Sequence, residues 1–193
     1  HNVCGMGPPS SGGIAVAQIL KILEKFNLKS LGYKNTKSWQ VIGDASRLAF
    51  ADRDRYLADS DFVDVPLNGL LNHEYLKKRS KKIELGRRTE NIEAGNPSQE
   101  VTYNYADDNS LELQSTTHIS IYDKYGNALS MTSSIENAFG SRLITKSGFL
   151  LNNQLTDFSF RNEIDGKLIS NRLEPAKRPR SSMSPTIVLK EGK

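Results

Sequence analysis

Thr116-Thr117-His118-Ile119-Ser120-Ile121-Tyr122, then Asp123-Lys124-Tyr125-Gly126-Asn127, then Ala128-Leu129-Ser130-Met131-Thr132-Ser133-Ser134, is the stretch that decides the fold. Residues 118–122 alternate polar and apolar, the period of a strand with two unlike faces. Asp123, Gly126 and Asn127 are turn formers, and residues 128–134 resume an extended pattern. The reading is an antiparallel hairpin. Further on, Gly148-Phe149-Leu150-Leu151 and Thr186-Ile187-Val188-Leu189 are short apolar runs, expected as further buried strands.

Upstream of the hairpin the period is different. After Gly5-Met6-Gly7-Pro8-Pro9-Ser10-Ser11-Gly12-Gly13, the apolar residues Ile14, Ala17, Ile19, Leu20 and Leu23 recur near helical spacing, and Ser10 or Ser11 is the expected cap. A second helix is expected over residues 38–57, with Trp39, Ile42, Ser46, Ala49, Phe50 and Tyr56 on a core-facing stripe and Arg47, Asp52 and Asp54 facing away. Asn72 reads as the N-cap of a short basic helix ending near Leu85-Gly86. Residues 87–113 are polar and read as a mobile surface segment that divides two structural units. The fold class is therefore α+β, with a helix-rich first half and antiparallel strands in the second.

Composition narrows the function. The chain has 193 residues, 37% of them hydrophobic, so it can bury a core but must carry long polar segments. It begins at His1, with no charged head or apolar targeting stretch, and reads as an excerpt. No apolar run approaches the roughly 20 residues of a spanning helix. The single Cys4 excludes an internal disulfide, and His1, His73 and His118 lack zinc-ligand spacing, so no metal is expected. The net charge of +4 and the run Lys77-Lys78-Arg79-Ser80-Lys81-Lys82 raise nucleic acid as a partner, but no aromatic residues interleave with the run for base stacking. A solvated helix face is the better account. The Gly-rich loop lacks the Lys next to Ser or Thr that a phosphate-binding loop needs, since Ile14 follows Gly13, and is expected to be a tight turn.

Thr116-Thr117 taken alone is an ordinary strand opening. It becomes chemical if the backbone is cut between Ser115 and Thr116. Thr116 would then carry a free α-amine, with an unperturbed pKa of about 7.7–8.0, beside its own hydroxyl. One residue would supply both base and nucleophile. The same hydroxyl can attack the preceding carbonyl, so the cut is a self-processing step.

Six motifs in order resemble the gamma-glutamyltransferase family of N-terminal-nucleophile hydrolases. They are Pro8-Pro9-Ser10-Ser11-Gly12-Gly13; Gly43-Asp44-Ala45 with Ala51-Asp52-Arg53; Thr116-Thr117-His118; Asp123-Lys124-Tyr125-Gly126-Asn127-Ala128; Leu151-Asn152-Asn153-Gln154 with Asp157-Phe158; and Lys177-Arg178-Pro179 with Ser181-Ser182-Met183-Ser184-Pro185-Thr186. The likeness runs from end to end.

This resemblance implies a share of a four-layer αββα sandwich, with residues 1–115 from the end of a large subunit and 116–193 from the start of a small, catalytic one. Thr116 matches the catalytic threonine freed by autocleavage after Ser115, and Ser134 stands where the family usually has a second threonine bonded to the nucleophile. Glu136, Gln154 and Asp157 match positions that hold the substrate's α-amino group, and Ser181 and Ser182 those that bind its α-carboxylate. Glu136 is a departure, since many members have Asn there, which leaves the balance of hydrolysis and transfer open. The family's carboxylate-binding arginine and oxyanion-hole glycines are expected outside this stretch, so the stretch alone is expected to be inactive. The implied partners are glutathione or other gamma-glutamyl compounds, with water, an amino acid or a peptide as acceptor, and the implied location is periplasmic or secreted. Two alternatives stand beside it: an acylase of the same superfamily that cleaves cephalosporin glutaryl side chains, and a non-processing, non-catalytic member.

Overall fold

A computed structural model describes residues 1–98, 103–110 and 116–192. Helix α1, Gly12–Leu23, buries Ile14, Ala15, Gln18, Ile22 and Leu23, which recur at three to four residues and so form one stripe. The expected serine cap is not used. Ser11 occupies the cap position without a side-chain capping bond; its Oγ accepts from Arg53 Nε at 2.9 Å and donates to the Ser181 carbonyl at 2.8 Å. Helix α2, Leu28–Leu31, is a single turn, and α3 runs from Thr36 to Tyr56, capped by the Asn35 side chain. A second one-turn helix, α4, is Leu67–Leu70.

The α3 stripe differs from the expected one. Val41, Ala45, Leu48, Asp52 and Tyr56 are buried, whereas Trp39 is 62% and Phe50 42% exposed. At about 3.6 residues per turn, Trp39 and Phe50 lie on the side of the helix opposite Val41. The Trp39 indole donates to the Tyr33 carbonyl at 2.8 Å, which satisfies its polar edge at the surface. Asp52, expected to face away, is inside the core. It pairs with Arg79 at 2.9 Å and accepts from Gln18 at 3.2 Å, Tyr75 at 2.7 Å and the Gly95 amide at 2.8 Å. A buried carboxylate persists only with such a full set of partners.

Helix α5, His73–Ser80, is capped as expected, the Asn72 side chain accepting from the Glu74 and Tyr75 amides. It ends at Ser80 rather than near Gly86, whose φ of +86° serves a later turn. Within the basic run Lys77, Lys78, Lys81 and Lys82 are exposed, but Arg79 is buried against Asp52. Helices α1, α3 and α5 together close the core around Ile22, Leu48, Leu57, Leu70, Leu76 and Ile83.

The polar segment is not a free surface strand where it is described. Thr89 donates to Asp44, Gly95 to Asp52, Asp107 pairs with Arg55 at 2.6 Å, and Asp108 is buried against Arg180 at 3.0 Å. Tyr103 packs edge-on against Tyr56. Its polar side chains are partners for the helices, not solvent-facing filler.

Three two-stranded antiparallel sheets are present among the described residues. The hairpin pairs β2, Thr117–Tyr122, with β3, Ala128–Ser133, in the register Thr117↔Ser133 to Tyr122↔Ala128. Asp123 organises its turn, accepting from the Tyr125 and Asn127 amides, and Gly126 takes φ +91°. Strand β1, Asn2–Cys4, pairs with β6, Ile187–Leu189, and between them in sequence β4, Glu163–Ile164, pairs with β5, Lys167–Leu168. Residues 148–151 are not the buried strand expected. They form a short ladder with residues 141–145, and Phe149 is 59% exposed. An apolar run can mark a strand, but burial depends on what packs over it.

Candidate active site

The hairpin register brings Thr116 and Ser134 together. Thr117 lies opposite Ser133, so the next residues outward, Thr116 and Ser134, flank the open end of the ladder. The Thr116 hydroxyl donates to Ser134 Oγ at 3.4 Å, and Ser134 Oγ also accepts the Glu136 amide at 2.9 Å. Both line an open cavity of about 930 Å³. All seven candidate side chains, Thr116, Ser134, Glu136, Gln154, Asp157, Ser181 and Ser182, border it. Ser115 lies outside the described residues.

One wall of the cavity is acidic. Glu136 is only 7% exposed and adopts φ +70°, a left-handed conformation disfavoured for a side chain of its size. Asn153 clamps it there: the Asn153 side-chain amide donates to the Glu136 carboxylate and its carbonyl accepts the Asn137 amide at 3.0 Å. A 3₁₀ turn, Gln154–Asp157, then carries the next two candidates into the cavity, the Gln154 side-chain amide donating to the Asp157 carboxylate.

The other wall offers hydroxyls backed by guanidinium groups. Residues 181–184 lie against the Gly-rich loop, with Ser11 N donating to Ser181 O at 2.7 Å, Ser181 N to Pro9 O at 3.2 Å, and Ser10 Oγ to Met183 O at 2.5 Å. Gly12 is required there, since a Cβ would meet Met183 O at 2.4 Å. The expected tight turn is thus a cradle for the serine pair. Beneath it Arg53 donates to Ser182 Oγ at 2.6 Å and to Ser11 Oγ at 2.9 Å, and Arg180, 2% exposed, pairs with Asp108. Burial works to raise the Asp108 carboxyl, but the Arg180 charge and the Ser110 hydrogen bonds outweigh it and hold the group below its usual range.

Two contributors have no role in the sequence reading: Asn153 and Arg53 each stand inside a motif, Leu151-Asn152-Asn153-Gln154 and Ala51-Asp52-Arg53, without an assigned part. His118 also lines the cavity, its ring nitrogens bonded to Thr132 Oγ1 at 2.7 Å and Ser120 Oγ at 3.0 Å. Among the described residues no cluster of His, Cys, Asp and Glu is arranged to hold a metal ion, and no helix is long and apolar enough to cross a membrane.

A pair of hydroxyls, Thr116 and Ser134, set between an acidic wall and a hydroxyl wall has the polarity to receive a zwitterionic head group. A family description, gamma-glutamyltranspeptidase, matches residues 1–193. The chain is 40% identical to the glutathione hydrolase proenzyme of Escherichia coli K12 over 199 residues and 41% identical to that of Bacillus subtilis 168 over 200, each covering all of this chain and 33% of the relative. An acylase ACY 1 proenzyme from Pseudomonas sp. SE83 is 32% identical over the whole chain. The chain thus spans about a third of the length of the curated relatives it matches. The crystal structure of a cephalosporin acylase from Bacillus halodurans superposes with TM-score 0.76 over 99% of this chain and 31% of that one, at 22% identity, and this likeness concerns the fold alone. With the family description matched from end to end and relatives at two-fifths identity along its whole length, the chain belongs to the gamma-glutamyltranspeptidase family.

Proposed function

We propose that this chain carries the nucleophile and most of the head-group pocket of a glutathione hydrolase and gamma-glutamyltransferase. The observation that carries the reading is the meeting of Thr116 and Ser134 at the edge of a cavity with an acidic wall and a hydroxyl wall. Thr116, freed by self-cleavage after Ser115, attacks the γ-carbonyl of glutathione or a related amide. Its hydroxyl proton passes to its own α-amine and then to the leaving amine as the C–N bond breaks, giving a gamma-glutamyl ester. Water converts the ester to glutamate, and an amino acid or peptide acceptor gives a transferred product. Ser134 orients the nucleophile. Glu136, Gln154 and Asp157 hold the substrate ammonium, and Ser181 and Ser182 donate to its carboxylate.

In this reading residues 1–115 belong to a large subunit and 116–193 to a small one, as part of an αββα sandwich. The location is periplasmic or secreted. An acylase activity is the second reading, supported by the relative of that name, but the lower identity of that relative and the carboxylates suited to an ammonium favour the gamma-glutamyl head.

The test is intact mass of the full-length protein over time, with turnover of a gamma-glutamyl anilide alongside. Wild type is expected to split into two pieces, the smaller beginning at Thr116, and Thr116→Ala to stay whole and inactive. A wild type that stays whole while folded removes the basis for the nucleophile. Faster turnover of a glutaryl than of a gamma-glutamyl amide turns the assignment to the acylase.

A further inference from the structure

Arg53 is 3% exposed on α3, yet it lines the cavity through the side chains it holds. Its guanidinium makes directed bonds from Nε to Ser11 Oγ at 2.9 Å, from Nη1 to Asp54 Oδ1 at 2.9 Å and from Nη2 to Ser182 Oγ at 2.6 Å. Ser11 uses its one proton on the Ser181 carbonyl at 2.8 Å and accepts from Arg53, so it has no proton for Ser182. Ser182 Oγ is therefore fixed as an acceptor toward Arg53. Among the described residues, Ser11 Oγ at a stretched 3.4 Å is what its proton meets on that side. A carboxylate oxygen entering the cavity is a much stronger acceptor.

We infer that Arg53 is a positioning residue for the α-carboxylate: by donating to Ser182 Oγ it turns the Ser182 hydroxyl proton toward the ligand and sharpens selection for substrates that carry that carboxylate. The polarisation acts in the same direction, since a hydroxyl that accepts from a cation is a better donor. Arg53 also ties α3 to the 181–184 segment, so a purely structural account must be separable from this one. The inference rests on the assignment of Ser182 to the carboxylate subsite made above.

The experiment uses the full-length, self-processed enzyme and two substrates, gamma-glutamyl anilide and 4-aminobutanoyl anilide, which lacks only the α-carboxylate. Arg53→Gln is expected to raise KM for the first about tenfold or more, the scale of a hydrogen bond to a charged group, with kcat little changed and the second substrate unaffected. Ser182→Ala is expected to do the same, and the double variant to be no worse than either single one. Equal losses on both substrates mean a structural role and overturn the inference, and additive losses mean that Arg53 acts without Ser182 and overturn it too. A Ser182→Ala effect with Arg53→Gln neutral sinks the inference alone, whereas a neutral Ser182→Ala sinks the subsite assignment with it. Should Arg53→Gln fail to fold or process, Ser11→Ala decides. It frees the Nε side of the guanidinium and is expected to give a smaller loss confined to the carboxylate-bearing substrate, and no such selectivity overturns the proposal.

Discussion

Between residues 14 and 83 many of the large apolar side chains pack against one another, although Trp39 and Phe50 do not; between 117 and 189 many turn outward. Ile22, Leu48, Leu57, Leu70, Leu76 and Ile83 are at most 2% exposed, whereas Ile121, Phe139, Ile144, Phe149 and Leu155 are each more than half exposed. The helical half buries even its charges, as the Asp52–Arg79 pair with its ring of Gln18, Tyr75 and Gly95 demonstrates. The strand half buries little but holds the nucleophile candidate, its partner serine and the acidic wall. The buried core and the candidate catalytic side chains thus lie mostly in different stretches, and the cavity is lined from both.

The largest expected effect is in the helical half. Asp52→Ala strands the Arg79 guanidinium without its carboxylate and is expected to cost about 3–5 kcal/mol, read by denaturant unfolding of the 193-residue chain. A loss below about 1 kcal/mol breaks the comparison, because the buried pair would then not be what holds that half together.

The seam comes next. Asp59, fully buried, takes hydrogen bonds from the Arg178 side chain and backbone, which hold its carboxyl well below the usual range against the opposing effect of burial. A depressed folded-state pKa gives stability that is complete above the unfolded value of about 3.9 and is lost as pH falls below it. At Asp52, in contrast, burial pushes the carboxyl up despite the Arg79 charge and the hydrogen bonds from Gly95, Tyr75 and Gln18. Asp59→Asn is therefore expected to lower Tm at pH 6 and to lose that disadvantage between about pH 4 and 2. An unchanging difference across that range would disconnect Arg178 from acid stability.

The smallest effect belongs to the hairpin. Met131→Ala, at a side chain 44% exposed, is expected to change stability by no more than about 0.5 kcal/mol. A cost near that of a core truncation, about 2–5 kcal/mol, would show that the hairpin face is packed after all.

The same contrast explains what could be read from sequence. The hairpin was legible because alternation and the Asp123–Asn127 turn are local signals, and Asn72 capped its helix for the same reason. The stripe on α3 was misjudged because a rule that sends charge outward cannot foresee four partners converging on Asp52 from Gln18, Tyr75, Arg79 and Gly95. Residues 148–151 look like a core strand in isolation; their exposure depends on neighbours that no local pattern encodes. The catalytic candidates were found through motifs and their shared cavity confirms only that they meet. Arg53 stayed hidden because its partners, Ser11 and Ser182, are separated from it by 42 and 129 residues.

The pairing of β1 with β6 has one further consequence. Residues 2–4 and 187–189 are joined side by side, while Arg180–Asp108 and Arg178–Asp59 join the arcs between them. The backbone is in effect a ring with cross-braces. A cut in the backbone after Ser110 and before Thr116 would leave these contacts between the two arcs in place.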